Sequence, residues 1–114
     1  MTSTIHTGDC LDVIRQLDVL ADAAVCDPPA GIAFMGRGWD ADRGGRGPWV
    51  AWLAERLAAA RARTKPGGWL LCWALPRTAH WTGCAVEDAG WRVVDVIHHA
   101  FGIERVCVCI AGVP

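Results

Sequence analysis

Residues 69–75 form an unbroken apolar run, Trp-Leu-Leu-Cys-Trp-Ala-Leu, with no polar side chain inside it. The run is too short for a membrane-spanning helix, which needs about 20 apolar residues. It also lacks the alternation of a strand that has one face in water. A short run of this composition is typical of a strand buried on both faces, as occurs in parallel sheets covered by helices. The chain is therefore predicted to adopt an α/β fold.

The rest of the chain alternates between two kinds of apolar segment. β-branched or small residues between turn signals predict strands, and apolar residues at helical spacing predict helices. This alternation indicates a parallel sheet with right-handed crossovers. Strands are predicted at 3–7, 21–26, 69–75 and 91–97, with 106–113 as a further candidate, and helices at 11–17, 48–63 and 77–89. The tryptophans on these segments are predicted to pack in the core or on the sheet: Trp49, Trp52, Trp69, Trp73, Trp81 and Trp91.

The length and the cysteines narrow the class of protein. At 114 residues the chain has the length of one domain, and its first residues lack the features of an export signal. A soluble, cytoplasmic protein with six reduced cysteines is expected. An alternative joins Cys107 and Cys109 to His98 and His99 as a thiol or metal site. Because the chain has no Cys-x-x-Cys pair and fits no usual zinc spacing, no metal is predicted.

Two short sequences follow predicted strands, at the positions where open α/β sheets bind ligands. Gly8-Asp9-Cys10 follows the first strand, and Asp27-Pro28-Pro29 follows the second. A carboxylate beside a carbonyl that has no competing local amide forms a dual acceptor for an NH₂ group. Both hydrogens of that group would then be held, and its lone pair would point outward. The alternative is an ordinary Asp-Pro turn that ends a strand.

Residues 30–47 form a long loop rich in Gly and Arg, which in a small domain is usually functional or mobile. The chain has a net charge of −1 and so no general attraction to nucleic acid. Its loop nevertheless concentrates Arg37, Arg43 and Arg46, and Arg suits planar contacts with phosphates or base edges. The alternative is a solvated loop without a ligand.

Several segments, in order, resemble the amino-methylating DNA methyltransferases, and in particular their phage and prophage type. The segments are residues 5–14, which contain Gly8-Asp9-Cys10-Leu11, residues 23–29, which end in Asp27-Pro28-Pro29, and residues 31–40, which contain Phe34-Met35-Gly36-Arg37 and end in Trp39-Asp40. Residues 65–71 and 77–91 also match. The resemblance covers residues 5–102, so residues 1–102 are identified as the N-terminal part of a methyltransferase-like α/β domain, and 103–114 as a divergent tail.

The resemblance implies a partial Rossmann-like, mostly parallel sheet with flanking helices. It implies transfer of a methyl group from S-adenosylmethionine to the exocyclic amino group of adenine or cytosine in double-stranded DNA, within a restriction-modification system of a bacterium or phage. The implied catalytic residues are Asp27, Pro28 and Pro29, and the implied cofactor-binding residues are Asp9 and Cys10. The implied DNA-binding residues are Phe34, Arg37, Trp39, Arg43 and Arg46.

Two departures from the family pattern bear on whether a complete methyltransferase is expected. Ala30 stands where the family has an aromatic residue, usually Tyr, and the family's Phe-x-Gly-x-Gly motif does not occur. The likeness ends near Phe101-Gly102. A truncated methyltransferase is therefore expected, with an incomplete cofactor pocket that a second copy or a complementing C-terminal half completes. The alternative is an inactive remnant that binds DNA or another protein.

Overall fold

The computed structural model describes the backbone of residues 1–101 and 104–114 and the side chains of residues 1–100 and 108–114. In chain order, the elements formed by these residues are α1 (Cys10–Gln16), β1 (Ala21–Cys26), α2 (Arg46–Ala62), β2 (Thr64–Ala74), α3 (Ala79–Asp88), β3 (Arg92–Phe101) and β4 (Glu104–Gly112). Two short 3₁₀ turns, Phe34–Gly36 and Gly38–Asp40, lie in the loop between β1 and α2.

The strands form one sheet in the order β1-β2-β4-β3. β1 pairs with β2 in parallel, and β4 lies antiparallel between β2 and β3, so that β1, β2 and β3 all run in the same direction. This arrangement confirms the predicted α/β class. The sheet is mixed and not mostly parallel as the sequence predicts, because β4 pairs antiparallel with both of its neighbours. Residues 104–112 belong to the segment, 103–114, in which the family resemblance predicts a divergent tail. They form an inner strand of the sheet, and the candidate strand at 106–113 is formed.

Local signals set the ends of the helices. The Asp9 carboxylate accepts a hydrogen bond from the Leu11 amide at 3.0 Å and caps α1, as the sequence predicts. Gly45, at a φ of 120°, precedes α2, which begins two residues before the predicted start at Pro48. α3 ends before Gly90, whose φ of 87° favours glycine.

The predicted strand at residues 3–7 is not formed, and this is a correction. These residues are exposed and have no strand partner, although they contain the β-branched Thr4, Ile5 and Thr7. Propensity alone does not make a strand, because its amides and carbonyls need a neighbouring strand to pair with. Among the described strands, β1 lies at one edge of the sheet and pairs with β2 alone. No described strand covers its other edge.

The core lies between the helices and one face of the sheet. Leu53 and Leu57 of α2 and Val86 of α3 pack against Leu70 and Cys72 of β2. Trp91 is also buried there, and its indole Nε1 donates to the Leu57 carbonyl at 3.0 Å. The prediction that tryptophans pack in the core is thus confirmed for Trp49 and Trp91, both of them buried.

The opposite face of the sheet has no helix on it in the described part of the chain. Side chains that alternate with the core residues point to that face. Val25 is 69% exposed and Trp69 is 47% exposed, although both belong to inner positions of their strands. The prediction that residues 69–75 are buried on both faces is therefore wrong for this chain. The composition of this apolar run suits a sheet with helices packed on both faces. The described helices pack on one face.

Among the described residues, none of the helices has both the length and the apolar character needed to cross a membrane.

Candidate functional site

A cavity of about 450 Å³ opens at the carboxyl end of β1, where Asp27 directly follows the strand. Pro28 and Pro29 come next and have no N–H groups, which ends strand pairing. Neither the Asp27 carboxylate nor the Pro28 carbonyl accepts a hydrogen bond from a residue that the structure describes. Two acceptors are thus free beside an apolar cavity whose walls include Ile32 and Leu75.

A second cavity, of about 260 Å³, lies between α1, β1 and α2. Asp27, Pro28 and Pro29 border this cavity as well as the first, so the three residues form a wall that both cavities share. Cys10 also lines the second cavity, which brings the two predicted strand-end sequences together. Asp9 lines neither cavity, because its carboxylate is turned to the amide of Leu11 as the cap of α1.

Asp40 closes the loop that forms the far side of the first cavity. Its side chain is 2% exposed, and its two carboxylate oxygens accept hydrogen bonds from the amides of Gly31 at 3.0 Å and Phe34 at 2.9 Å. Its carbonyl accepts from the Ala33 amide at 2.7 Å. These bonds hold Ala33 at a φ of 50° and Met35 at 51°, in the left-handed region that side chains other than glycine rarely adopt.

The role of Asp40 is not predicted from the sequence. Asp40 is only the end of a motif in the sequence, and the loop holds one other acidic residue, Asp42, which is exposed. No sequence signal distinguishes a buried acceptor of two amides from an exposed acid in the same loop. The Trp-Asp pair at the end of the resemblance is the nearest indication.

Contacts with helical residues and with the residue before α3 hold the start of the loop in place. The hydroxyl of Thr78, itself buried, donates to the Ala30 carbonyl at 2.8 Å. Gly31 has a φ of 74° and lies against Trp49, so that a Cβ there would come within 2.6 Å of the indole nitrogen. Gly31 is therefore required both by its backbone angle and by the close approach of the ring.

Phe34 and Trp39 both border the first cavity, and both are more than half exposed, at 57% and 62%. Large aromatic side chains are normally buried when they have no ligand or partner. Ala30 borders the same cavity and leaves open the space in which a larger side chain would sit. The structure thus brings two of the predicted DNA-contacting residues to the same cavity as Asp27–Pro29.

The three predicted loop arginines make different contacts. Arg37 is exposed. The Arg46 guanidinium donates to the Cys84 Sγ at 3.1 Å. The Arg43 guanidinium lies 3.9 Å from the centre of the Trp52 ring, a cation–π contact. All three are exposed and so can reach a ligand.

Trp52 and Arg56, which sequence reasoning did not assign to the site, form one wall of the second cavity. The Arg56 guanidinium lies 4.4 Å from the centre of the Trp52 ring, on which Arg43 also stacks, and it donates to the Trp52 carbonyl at 2.9 Å. The sequence predicts Trp52 as a packing residue. Its helical spacing from Arg56 is the one signal that could indicate a paired role.

Thiols also lie beneath the shared wall. Cys26, the last residue of β1, pairs in register with Cys72 of β2, which pairs in register with Cys109 of β4. The Cys72 thiol donates to the Trp73 carbonyl, with Sγ and O 3.8 Å apart. Interaction with the Cys72 thiol lowers the pKa of Cys26, and the same interaction together with burial raises the pKa of Cys72. Burial raises the pKa of Cys109 as well.

The alternative metal site receives no support from the described side chains, among which no three His, Cys, Asp or Glu groups are close enough to hold an ion. His98 and His99 lie on β3. The side chain of Cys107 lies outside the described residues.

No protein-family profile matches the chain, and no curated protein matches it by sequence. Solved structures do match it. A protein of Thermus thermophilus assigned as a DNA modification methylase superimposes with a TM-score of 0.64 at 15% identity over 94% of this chain and 51% of its own. M1.HpyAVI in complex with SAM superimposes with a TM-score of 0.61 at 18% identity over 94% of this chain and 52% of its own.

TrmN from Thermus thermophilus gives a TM-score of 0.60 at 15% identity, over 94% of this chain and 27% of its own. The chain thus spans about half the length of the first two proteins and about a quarter of the third. At these identities the likeness is one of fold. The chain has the Rossmann-like α/β fold of methyltransferases, a group that includes DNA modification methylases.

Proposed function

We propose that this chain is the N-terminal unit of a DNA methyltransferase that transfers a methyl group from S-adenosylmethionine to the exocyclic amino group of adenine or cytosine. The observation that carries the proposal is the wall that two cavities share, formed by Asp27, Pro28 and Pro29. A group held at this wall from one cavity faces a ligand in the other. Site-specific methylation of this kind belongs to phage or bacterial DNA modification, in the cytoplasm.

The free acceptors at the wall account for the choice of an amino group. The Asp27 carboxylate and the Pro28 carbonyl can each accept one hydrogen of an NH₂ group, since no described residue donates to either. With both hydrogens held, the nitrogen lone pair points away from the wall. Such positioning is the main contribution that the protein makes when the transferred group is already activated.

The second cavity fits part of the cofactor. Arg56 offers a cation for a carboxylate, and Trp52 and Cys10 offer apolar surface. Its volume of about 260 Å³ is below the roughly 300–1,000 Å³ of typical ligand pockets, which agrees with a pocket completed by another unit. When bound, S-adenosylmethionine supplies a methyl group activated by its sulfonium.

The first cavity receives the target base. A base must leave the duplex stack before its amino group can reach a wall at the bottom of a cavity. Phe34 and Trp39 lie at the mouth and can stack on it, in place of the aromatic residue that the family has where this chain has Ala30. Such stacking is worth about 1–3 kcal/mol per base. Arg37, Arg43 and Arg46 extend from the same loop and can contact phosphates.

A complementing C-terminal half of the methyltransferase is the partner that fits the uncovered parts of the fold. β1 has one free edge, and the apolar face bearing Val25 and Trp69 has no helix in the described part of the chain. Related solved structures hold about as many residues again as the part that this chain matches. A strand along β1 with helices on the bare face would cover both features. Sedimentation velocity of the chain alone is expected to show a weakly associating species, whereas a stable dimer would assign the face to a second copy.

Transfer of a tritium-labelled methyl group from S-adenosylmethionine to double-stranded DNA tests the proposed function. Asp27→Asn keeps the size of the side chain but replaces one acceptor with a donor. The target amino group is then no longer held by two acceptors, and misplacement of the reacting nitrogen is expected to cost about a hundredfold in rate. Asp18→Asn, at a position away from both cavities, is the matched control and should leave incorporation unchanged. Incorporation by the chain at high concentration that does not exceed that of Asp27→Asn would favour an inactive remnant.

A further inference from the structure

One arginine next to the first cavity has no role in the proposed methyl transfer. Arg77 lies in the short segment between β2 and α3, and its side chain is exposed. Its guanidinium makes no hydrogen bond, ion pair or ring contact with any residue that the structure describes. A cation of this kind is available to a ligand.

The backbone holds Arg77 beside the cavity. Leu75, two residues earlier, lines the cavity of about 450 Å³. The amide of Thr78 donates to the Leu75 carbonyl at 3.0 Å, which closes a tight turn with Arg77 inside it. The hydroxyl of Thr78 donates to the carbonyl of Ala30, another residue of the cavity wall, at 2.8 Å. These bonds fix the backbone of Arg77 relative to two residues that line the cavity.

Arg37 has a comparable place on the loop that supplies other residues of the cavity wall. In the sequence it lies between Phe34 and Trp39, which both border the cavity. Its amide donates to the Phe34 carbonyl at 3.0 Å, and its carbonyl accepts from the Asp40 amide at 3.1 Å. Like Arg77, it is exposed and forms no ion pair with a described residue. Two different segments that line the cavity thus each carry a guanidinium without a described acidic partner.

We propose that Arg77 binds a phosphate of the DNA strand next to the extruded nucleotide, while Arg37 binds another phosphate of the same strand. The role of Arg77 rests on the proposed function, in which the first cavity receives the base. A base that enters the cavity brings the phosphates on either side of its sugar to the cavity mouth. The planar donors of a guanidinium match the oxygens of a phosphate. Such contacts fix the position of the strand without reading its sequence.

Fluorescence anisotropy of a labelled DNA duplex measures this contact without any methyl transfer. The duplex carries one adenine opposite an abasic position, which lowers the cost of extruding that adenine. Arg77→Gln is expected to weaken binding by about eightfold at about 0.1 M salt and to reduce the dependence of log affinity on log salt by about one, as the loss of one phosphate contact does. Arg77→Lys keeps the charge and should keep the salt dependence.

Arg92→Gln is the matched control. Arg92 is also exposed and forms no ion pair with a described residue. It begins β3, which runs in the same direction as β1, so it lies at the opposite end of the sheet from Asp27. Its replacement should change affinity and salt dependence much less. Equal effects of Arg77→Gln and Arg92→Gln would overturn the role of Arg77 and would leave the proposed function standing.

A neutral methylphosphonate linkage identifies the bound group as a phosphate. The linkage replaces, in separate duplexes, the phosphate on each side of the adenine. One of these duplexes should bind the wild-type chain more weakly but have little further effect on Arg77→Gln, because the charge that it removes has already lost its partner. Losses that add in the variant would overturn the contact. A wild-type chain that binds no duplex at low salt would overturn both this contact and DNA as the substrate.

Discussion

Asp40 borders the proposed base site and determines its shape through hydrogen bonds within the loop. Its carboxylate accepts from the amides of Gly31 and Phe34, and its carbonyl accepts from Ala33. The loop is thereby closed on itself, with Phe34 at one end and Trp39 next to the closing residue. Hydrogen bonds from two amides offset the cost of desolvating a buried carboxylate. When one of these bonds is lost, the cost is no longer offset.

Replacement of Asp40 by Asn is expected to destabilise the chain by about 1.5–3 kcal/mol, the usual loss for a hydrogen bond to a charged group. The new NH₂ group would face an amide donor and leave it unpaired. Urea unfolding followed by tryptophan fluorescence measures the loss. Asp42→Asn is the matched control, because Asp42 is exposed and accepts one local bond from Gly44. An Asp40→Asn variant as stable as Asp42→Asn would contradict the bracing role.

For individual residues, the sequence predicts chemical roles better than it predicts burial and contacts. Asp27, Pro28 and Pro29 can be identified from their position after an apolar strand, and the capping role of Asp9 from its position before a helix. The burial of Asp40 and the stacking of Arg43 and Arg56 on Trp52 cannot be predicted in this way. They depend on how a glycine-rich loop closes, and many backbone conformations are compatible with its composition.

Between elements, the ion pair of Lys65 with Asp22 joins β2 to β1, with the Lys65 Nζ 2.7 Å from the Asp22 Oδ1. The pair lowers the pKa of Asp22 in the folded chain through the hydrogen bond and the charge of Lys65. A depressed folded pKa stabilises the chain above the ordinary carboxyl pKa, and this contribution is lost as the pH falls through the folded value.

Lys65→Gln is expected to raise the pKa of Asp22 toward its ordinary value, as measured by NMR titration of the carboxyl carbon. Lys65→Arg keeps the charge and should keep the depressed pKa. The difference in stability between wild type and Lys65→Gln should be present at pH 6 and absent near pH 2, and it should be small because both groups are exposed. An unchanged Asp22 titration in Lys65→Gln would show that the pair does not persist in solution.

Neighbouring residues of β2 offer a direct test of the one-sided core. Leu70 is buried against the helices, whereas Trp69 points to the bare face. Leu70→Ala is expected to cost about 2–5 kcal/mol of unfolding free energy. Trp69→Ala should cost far less at low protein concentration, although the side chain removed is larger. A loss for Trp69→Ala equal to that for Leu70→Ala would mean that the face is covered.

Long-range pairing explains which elements can be predicted. α2 and β1 carry their signals locally, in helical spacing and in prolines that end a strand, and the predicted bounds of both lie near the observed ones. The strand predicted at residues 3–7 fails because strand formation depends on a partner that sequence propensity does not supply. For the same reason the apolar run at 69–75 predicts a strand that is buried on both faces. Its composition suits such a strand but does not determine which elements pack on each face.

The molecule as a whole is a layer of helices over one face of a sheet. The proposed site lies at the ends of the strands. In the function we propose, the target base and the cofactor occupy the cavities on either side of Asp27–Pro29. The complementing unit that we propose would cover the edge of β1 and the face that no described helix covers, and it would enlarge the second cavity. Addition of such a unit is expected to raise methyl transfer and to protect the β1 amides from hydrogen exchange.

The identity of the methylated atom tests the central claim most directly. Double-stranded DNA incubated with the chain at high concentration and S-adenosylmethionine is digested to nucleosides and analysed by mass spectrometry against authentic standards. The account predicts N6-methyladenine or N4-methylcytosine above the level found with Asp27→Asn. Methylation on a ring carbon, as in 5-methylcytosine, or no methylated nucleoside above that variant would contradict it.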